Sequence, residues 1–134
     1  MGLTRYPSYK PSGIEWIGEI PSHWTLTRLA SAGTFRKGRG IKKDETKDSG
    51  LPCIRYGEIY TKYDRIIYEL TSFIDQQSAE ASEAIKKGDV LFAGSGETTE
   101  DIGKAVVYSG ESDAYASGDI IILTVNAKLV DCNI

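Results

Sequence analysis

The chain has 134 residues, of which 40% are apolar and 26% are charged, a composition that predicts one globular domain and excludes a disordered chain. No run approaches the roughly 18 apolar residues of a membrane-spanning helix, and the N-terminus lacks an apolar signal region, so we expect a cytoplasmic protein. The net charge of −3 is unevenly distributed. Residues 1–65 carry twelve Lys or Arg against seven Asp or Glu, and residues 66–134 carry four Lys or Arg against twelve Asp or Glu. This asymmetry fits either a local basic patch for an anionic partner or a solvated surface with unevenly placed charges.

Residues 1–24 are predicted to form an extended N-terminal arm packed on the domain that follows, residues 25–134. Three prolines and two glycines between residues 4 and 24 interrupt any helical pattern. We expect Trp16 and Trp24 to be buried against the domain, because a large aromatic side chain stabilises most when it is buried. Stacking of these rings on exposed bases is the alternative.

The first elements of the domain lead into a basic segment, residues 36–43. Residues 25–35 predict a strand, a short helical turn and a second strand. The segment combines two glycines with five cations, which are Arg36, Lys37, Arg39, Lys42 and Lys43. Glycines let a backbone approach a surface closely, and Arg and Lys match phosphate oxygens, so these cations are predicted to contact phosphates. A solubilising hairpin loop is equally compatible with the composition.

A tyrosine-rich segment, residues 57–65, follows a predicted strand at residues 53–56. Aromatic and basic residues alternate here, which suits nucleic acid, with Lys62 on a phosphate and Tyr60 and Tyr63 flanking it. The pattern equally suits an exposed β-hairpin with cross-strand tyrosine pairs.

The best helix pattern in the chain covers residues 78–85, with Ser78 or Asp75 as N-cap and Gly88 beyond its end. Residues 114–118 read as a turn, and residues 119–125, dense in isoleucine, give the strongest strand signal. The two cysteines, Cys53 and Cys132, are too few and too far apart for a disulfide framework or a zinc site, and we expect both to be reduced.

Two short apolar runs, residues 90–93 and 105–107, predict buried strands on either side of a glycine loop, residues 94–101. Hydroxyl groups read bases flexibly, and a glutamate can accept a hydrogen bond from a cytosine amino group. The candidates for base-edge contacts in this loop are therefore Ser95, Glu97, Thr98 and Thr99.

The glycine loop matches neither common phosphate-binding template. Gly96 and Gly103 are separated by six residues, where a Walker loop has four, and Thr99 stands where the dinucleotide motif requires its last glycine. No nucleophile elbow or serine–histidine–acid triad is present. Glu45 and Lys47 have the spacing of metal-dependent nucleases but lie in a polar run without a strand. We therefore predict a non-enzymatic chain with no cofactor and no metal.

Three stretches of the chain resemble the DNA specificity subunit of type I restriction-modification enzymes. The first resembles the N-terminal signature of that subunit, the second its Gly-hydrophobic-Pro and Arg-x-Gly segment, and the third the centre of its target-recognition domain. These stretches are residues 6–24, residues 50–60, and residues 87–96 with 102–105 and 118–122.

The resemblance implies an α+β fold, mostly antiparallel twisted β-sheet with a few short helices, forming a single target-recognition domain. It implies that the domain reads one half of a bipartite sequence in double-stranded DNA and directs methyltransferase and restriction subunits to it. The family's subunits carry two such domains joined by long helices, so a chain of 134 residues is expected to be one incomplete domain. The alternatives are a protein–protein interaction module without DNA reading, and a metal-dependent nuclease.

Overall fold

The computed structural model describes residues 4–128, in which two β-sheets and a separate β-hairpin are joined by short connections and two α-helices. The strands are β1 (Tyr9–Pro11), β2 (Glu19–Pro21), β3 (Gly33–Lys37), β4 (Leu51–Ile54), β5 (Ile66–Ile67), β6 (Ser72–Ile74), β7 (Glu83–Ile85), β8 (Val90–Ala93), β9 (Ala105–Tyr108), β10 (Ala114–Ala116) and β11 (Ile120–Val125). The helices are α1 (Tyr56–Thr61) and α2 (Gln76–Glu80), and 3₁₀ turns span Leu29–Ser31 and Lys43–Glu45.

The five-stranded sheet has the order β3-β11-β8-β9-β5, and all its pairs are antiparallel except β5 with β9. Strand β11 lies inside this sheet, between β3 and β8, and it is apolar at every residue but Thr124. Ile120 and Ile122 of β11 are fully buried. The β-branched residues of β11 therefore explain why this strand gave the strongest sequence signal.

The four-stranded sheet has the order β6-β4-β10-β7, with β4 and β10 parallel and the other pairs antiparallel. Successive residues of a strand face opposite sides of a sheet, and Cys53 and Ile54 accordingly belong to different apolar clusters. The main core lies between the two sheets and contains Ile54, Ile59 of α1, Leu91 and Ile122. A smaller cluster on the other side of the four-stranded sheet contains Ile41, Cys53, Ile74 and Ala79.

The predicted fold class is confirmed: the described residues form an α+β fold with six antiparallel and two parallel strand pairings. The strands predicted at residues 90–93, 105–107 and 119–125 correspond to β8, β9 and β11. Each of these runs is apolar and short, and each supplies buried residues to the main core.

The first part of the tyrosine-rich segment belongs to helix α1, which ends at Thr61, so the predicted β-hairpin at residues 57–65 is wrong. Tyr56, Ile59, Tyr60 and Tyr63 recur at the i, i+3, i+4, i+7 spacing of one helix face. Ile59 is fully buried, and the three tyrosine rings pack against the main core. Burial of this face decides the structure over the β-propensity of tyrosine.

The helix predicted over residues 78–85 is only half present, because α2 ends at Glu80 and β7 begins at Glu83. The Asp75 carboxylate accepts a hydrogen bond from the Ser78 backbone N–H at 2.8 Å, so Asp75 is the N-cap. Strand β7 pairs with β10, which occupies residues predicted as a turn. Pairing with a distant strand thus overrides the local helical preference of residues 83–85.

The N-terminal arm forms the β1–β2 hairpin, and its aromatic residues are not buried as predicted. Trp16 is 86% exposed and Trp24 is 49% exposed, although Ile20 is buried. The ring of Tyr6 lies 5.2 Å from that of His23 and 5.8 Å from that of Trp24, measured between centroids. The boundary between arm and domain stays a prediction.

Cys53 is a buried free thiol, whose pKa is raised to about 12, first by burial and then by the charge of Glu58. Cys132 and the last six residues of the predicted domain, 129–134, lie outside the described residues. Within residues 4–128, none of the helices has the length and apolar character needed to cross a membrane.

Candidate nucleic-acid interface

The basic segment divides into a strand and a loop with different surroundings. Arg36 lies on β3, where its guanidinium donates to the Glu83 carboxylate at 2.8 Å and the Ala84 carbonyl at 2.7 Å. It also donates to Asp89 at 3.0 Å and to Thr124 Oγ1 at 3.2 Å. We call Arg36, Glu83, Asp89 and Thr124 the arginine network. Because Glu83 and Ala84 belong to β7, the network joins the two sheets.

Asp89 is the buried member of this network, with 1% of its surface exposed. Its carboxylate also accepts from the Thr124 hydroxyl at 2.8 Å and from the Lys86 backbone N–H at 3.0 Å. A buried carboxylate requires such partners, because an unpaired one is strongly disfavoured. The guanidinium of Arg36 is thus committed within the protein, which differs from the phosphate contact predicted for it.

The loop after β3 is held against the turn between β10 and β11. Gly38 donates its N–H to Ile120 O at 2.8 Å, and Arg39 donates to Ala116 O at 3.3 Å. A Cβ at Gly38 would overlap the carbonyl oxygen of Ser117. Glycine therefore permits an approach of two backbones that fixes the position of the following cations.

A cleft of about 330 Å³ lies between this loop, the start of α1 and the β10–β11 turn. We call it the basic cleft, and the residues that line it are Gly40, Ile41, Lys42, Lys43, Arg55, Tyr56, Ser117, Gly118 and Asp119. Three of these side chains are cationic. Among residues 4–128, the lysines and the arginine of the basic cleft form no side-chain hydrogen bond or ion pair with the protein.

Two residues of the basic cleft have strained backbones. Ile41 has φ of 55° and Asp119 has φ of 62°, and both lie in the left-handed region that disfavours side chains with a Cβ. Ile41 is β-branched, so its strain is the larger, and its side chain is buried in the smaller apolar cluster. Such strain costs on the order of 1–3 kcal/mol and concentrates at ligand-binding sites.

Helix α1 brings Tyr60 close to the glycine loop. The ring of Tyr60 lies 6.5 Å from that of Tyr56, which lines the basic cleft. Desolvation raises the pKa of the Tyr60 hydroxyl, and the negative charges of Glu97 and Asp101 raise it further. Tyr60 therefore lies between the basic cleft and the acidic side chains of the glycine loop.

The glycine loop is attached to the basic cleft at its first residue, since Gly94 donates its N–H to Asp119 O at 2.7 Å. Asp101 accepts from the Thr98 backbone N–H at 3.1 Å. The Glu100 backbone N–H and the hydroxyls of Thr98 and Thr99 lower the pKa of the Glu100 carboxyl. Among the predicted readers, Glu97, Thr98 and Thr99 are exposed in the loop, and Ser95 is half-buried.

The other predicted residues do not line the basic cleft. Lys62 pairs with Glu58 at 3.7 Å, and the hydroxyl of Tyr63 accepts from the Thr71 backbone N–H at 3.2 Å. Lys37 is exposed on β3, on the face opposite Arg36. Arg39 is 65% exposed and lies 3.5 Å from Glu83. Of the predicted cations, the structure thus places Lys42 and Lys43 in the cleft.

Residues missed by sequence reasoning are Arg55, Tyr56 and Asp119. Arg55 and Asp119 stand alone among apolar or small residues in the sequence, without the clustering that drew attention to residues 36–43. The available signal was their position within two of the family-like stretches, 50–60 and 118–122.

The pair with nuclease spacing is engaged elsewhere. Glu45 accepts a hydrogen bond from the Lys42 backbone N–H, and Lys47 pairs with Asp75 at 2.9 Å. Within the part of the chain that the structure describes, no three His, Cys, Asp or Glu side chains are grouped as metal ligands.

The predicted resemblance is confirmed by comparison with known proteins. The chain is 27% identical over 94 residues to the type I restriction enzyme MjaVIII specificity subunit of Methanocaldococcus jannaschii, an alignment that covers 69% of this chain and 21% of that protein. No family model matches the chain. The chain thus spans about a fifth of the length of the curated relative that it matches.

The fold is shared with a solved chain from a study of complex assembly and conformational transition of the type I restriction-modification system. The superposition has a TM-score of 0.54 at 16% identity and covers 80% of this chain and 25% of the other.

Proposed function

We propose that this chain is a non-catalytic DNA target-recognition domain of a type I restriction-modification system, active in the cytoplasm, which reads one half of a bipartite target. The observation that carries the proposal is the basic cleft, where Lys42, Lys43 and Arg55 lie together without protein partners among the described residues. Cations on a fixed backbone next to glycines suit the phosphate groups of DNA. The similarity to a type I specificity subunit supports the same function.

The phosphate contacts are assigned to the loop rather than to β3. Lys42 and Lys43 are exposed in the cleft, and Arg39 beside it is exposed and holds Glu83 only at 3.5 Å. Arg36 is instead a structural residue, because its guanidinium has four acceptors within the protein. Lys37 and Lys62 remain proposed as weaker, peripheral phosphate contacts.

Base reading is assigned to the polar groups next to the cleft. Glu97 is exposed in the glycine loop, and Ser95 lies beside it. Tyr60 and Tyr63 flank this surface from α1 and its end, and Thr98 and Thr99 are exposed in the glycine loop beside Glu97. The domain would direct methyltransferase and restriction subunits to the bound site, a role supported by the specificity-subunit similarity.

The proposal is tested by the salt dependence of duplex binding. Replacing both Lys42 and Lys43 by Gln should reduce the slope of log affinity against log salt by about 1.8, since each lost phosphate contact removes about 0.9. The matched control replaces Lys86 and Lys87, two consecutive lysines outside the cleft, by Gln. An equal change of slope in both variants would contradict the assignment to the cleft.

The assignment to restriction-modification is tested by the methylation pattern of genomic DNA. Cells that carry the gene should show a split methylated motif, and deletion of the gene should remove it. An identical methylation pattern in both strains would exclude the proposed role.

A protein-interaction module is the second candidate, and the exposed aromatic residues of the arm favour it. Trp16 and Trp24 are 86% and 49% exposed, which is typical of residues that anchor protein interfaces. Competition between duplexes that carry or lack the target half-site separates the two functions. A DNA-reading domain discriminates between these duplexes, and a protein-docking module binds both equally weakly.

A further inference from the structure

The basic cleft holds one acidic side chain, that of Asp119, opposite in charge to Arg55 on the same cleft. Within residues 4–128, neither side chain forms a hydrogen bond or an ion pair with the protein. Five other cations of the described chain, Arg36, Arg39, Lys47, Lys62 and Lys87, are paired with carboxylates. The cleft therefore presents an acceptor and a donor that the protein leaves unsatisfied.

The backbone of Asp119 is fixed where three loops meet. Its carbonyl accepts from the Gly94 N–H at 2.7 Å, and the neighbouring Gly118 N–H donates to Gly40 O at 3.2 Å. A Cβ at Gly94 would come within 2.9 Å of the Asp119 carbonyl oxygen, so the glycine loop approaches closely. With φ of 62° held by these contacts, the carboxylate is presented on a rigid turn, as precise recognition requires.

The chemistry of the two groups selects different atoms of DNA. A carboxylate is repelled by phosphate, but it accepts a hydrogen bond from the amino group N4 of cytosine. A guanidinium matches O6 and N7 of guanine with two parallel hydrogen bonds. The edge of a G·C base pair in the major groove presents both of these partners.

We propose that Asp119 and Arg55 read a G·C base pair in the target half-site, Asp119 through cytosine N4 and Arg55 through guanine O6 and N7. This inference rests on the proposed DNA-reading function and assigns base recognition to the basic cleft itself. Lys42 and Lys43 hold the flanking phosphates, and their charge offsets the repulsion between the Asp119 carboxylate and the DNA backbone.

The experiment is selection of duplexes from a randomised library by the full 134-residue chain at low salt, with wild type, Asp119→Asn and Arg55→Gln. Asparagine tolerates left-handed backbone and recognises adenine N6 and N7, as does glutamine. Asp119→Asn and Arg55→Gln should therefore each relax the selection of that same G·C pair towards A·T without abolishing it, because the other side chain still reads the pair. Each change should alter discrimination by about tenfold. The control Asp113→Asn, an exposed carboxylate outside the cleft, should select the wild-type sequence.

A second measurement needs no variant and uses the duplex that wild type selects. Replacing its guanine by 7-deazaguanine removes the N7 acceptor and should weaken binding about tenfold. A wild-type preference that both variants and the deaza duplex leave unchanged would overturn the inference, while the proposed function would stand. Enrichment of no sequence by the wild type would overturn the proposed function and the inference with it.

Discussion

The arginine network and the basic cleft draw their cations from the same segment of chain, yet they use them in opposite ways. Arg36 and Lys42 are six residues apart. The first bonds four acceptors and joins two sheets, and the second lies in a cleft without a side-chain partner among the described residues. Cations that are hydrogen-bonded to acceptors within the protein stabilise the fold. Cations without such acceptors are available to bind a ligand. The comparison predicts that substitutions in the network affect stability, whereas substitutions in the cleft affect binding.

The largest effect on stability is expected from Asp89→Ala in the arginine network. The substitution leaves the Arg36 guanidinium, the Thr124 hydroxyl and the Lys86 N–H without their buried acceptor, and should lower the free energy of unfolding by about 3 kcal/mol. Urea unfolding measures this loss. Asp89→Asn, which keeps the volume and one acceptor, is the control and should cost less. Equal losses would contradict this expectation and show that the charge of Asp89 accounts for the whole effect.

A smaller loss of stability is expected from Gly38→Ala. Gly38 lies directly after β3, which carries Arg36 of the arginine network, and begins the loop that leads to the basic cleft. The added methyl group overlaps the Ser117 carbonyl oxygen, and the backbone shift that relieves it should cost about 2 kcal/mol. Because the shift moves the basic loop, duplex affinity should fall as well. Gly118→Ala is the matched control, since a Cβ there meets no atom within 4 Å. A stable Gly38→Ala variant would contradict the close approach.

Glu83→Gln probes the boundary between the two regions. Glu83 holds Arg36 of the network at 2.8 Å and Arg39 beside the cleft at 3.5 Å. Loss of its charge should lower stability by about 1 kcal/mol, discounted because these side chains are partly exposed. It should also free Arg39 to contact a phosphate. The slope of log affinity against log salt for duplex binding should then become steeper by up to about 0.9. An unchanged slope would mean that Arg39 does not contact phosphate.

The smallest effect concerns Asp75, which lies in neither region. The Ser78 N–H first, and then Lys47, hold the pKa of its carboxyl at about 2, below the ordinary value of 3.8. A depressed pKa in the folded state stabilises above the unfolded value, so this contribution is present above pH 4 and is lost as pH falls towards 2. Asp75→Asn should reduce the loss of stability over this range. Equal acid sensitivity of wild type and variant would contradict the pKa shift.

The strands that the sequence predicted well are those whose residues are apolar on both faces. Ile120 and Ile122 of β11 are buried, and so apolar a run is stable only in a buried strand, whichever strands pair with it. The local pattern of residues is therefore enough to predict this strand. The tyrosine-rich segment was predicted wrongly because tyrosine favours strands on average. Its residues 56, 59, 60 and 63 had helical spacing, and their packing against the main core decided the outcome.

The candidate site was predictable only in part. Lys42 and Lys43 stand out as a local cluster next to glycines, and the glycine loop as a polar stretch between apolar runs. Arg55 and Asp119 have no local pattern, because they are brought to the cleft by separate segments of the four-stranded sheet and of the β10–β11 turn. Parallel pairing of β4 with β10 is the contact that joins them, and it is not visible in either segment alone.

The sequence by itself determined the fold class, the resemblance to type I specificity subunits and the presence of a basic segment, because each depends on residue types and their order. Tertiary structure decided which cations are free to bind. The acceptors that occupy Arg36 lie between 47 and 88 residues away in the chain, on β7, on β11 and in the turn before β8. Charge is a property of a residue, but its availability depends on the neighbours that folding provides.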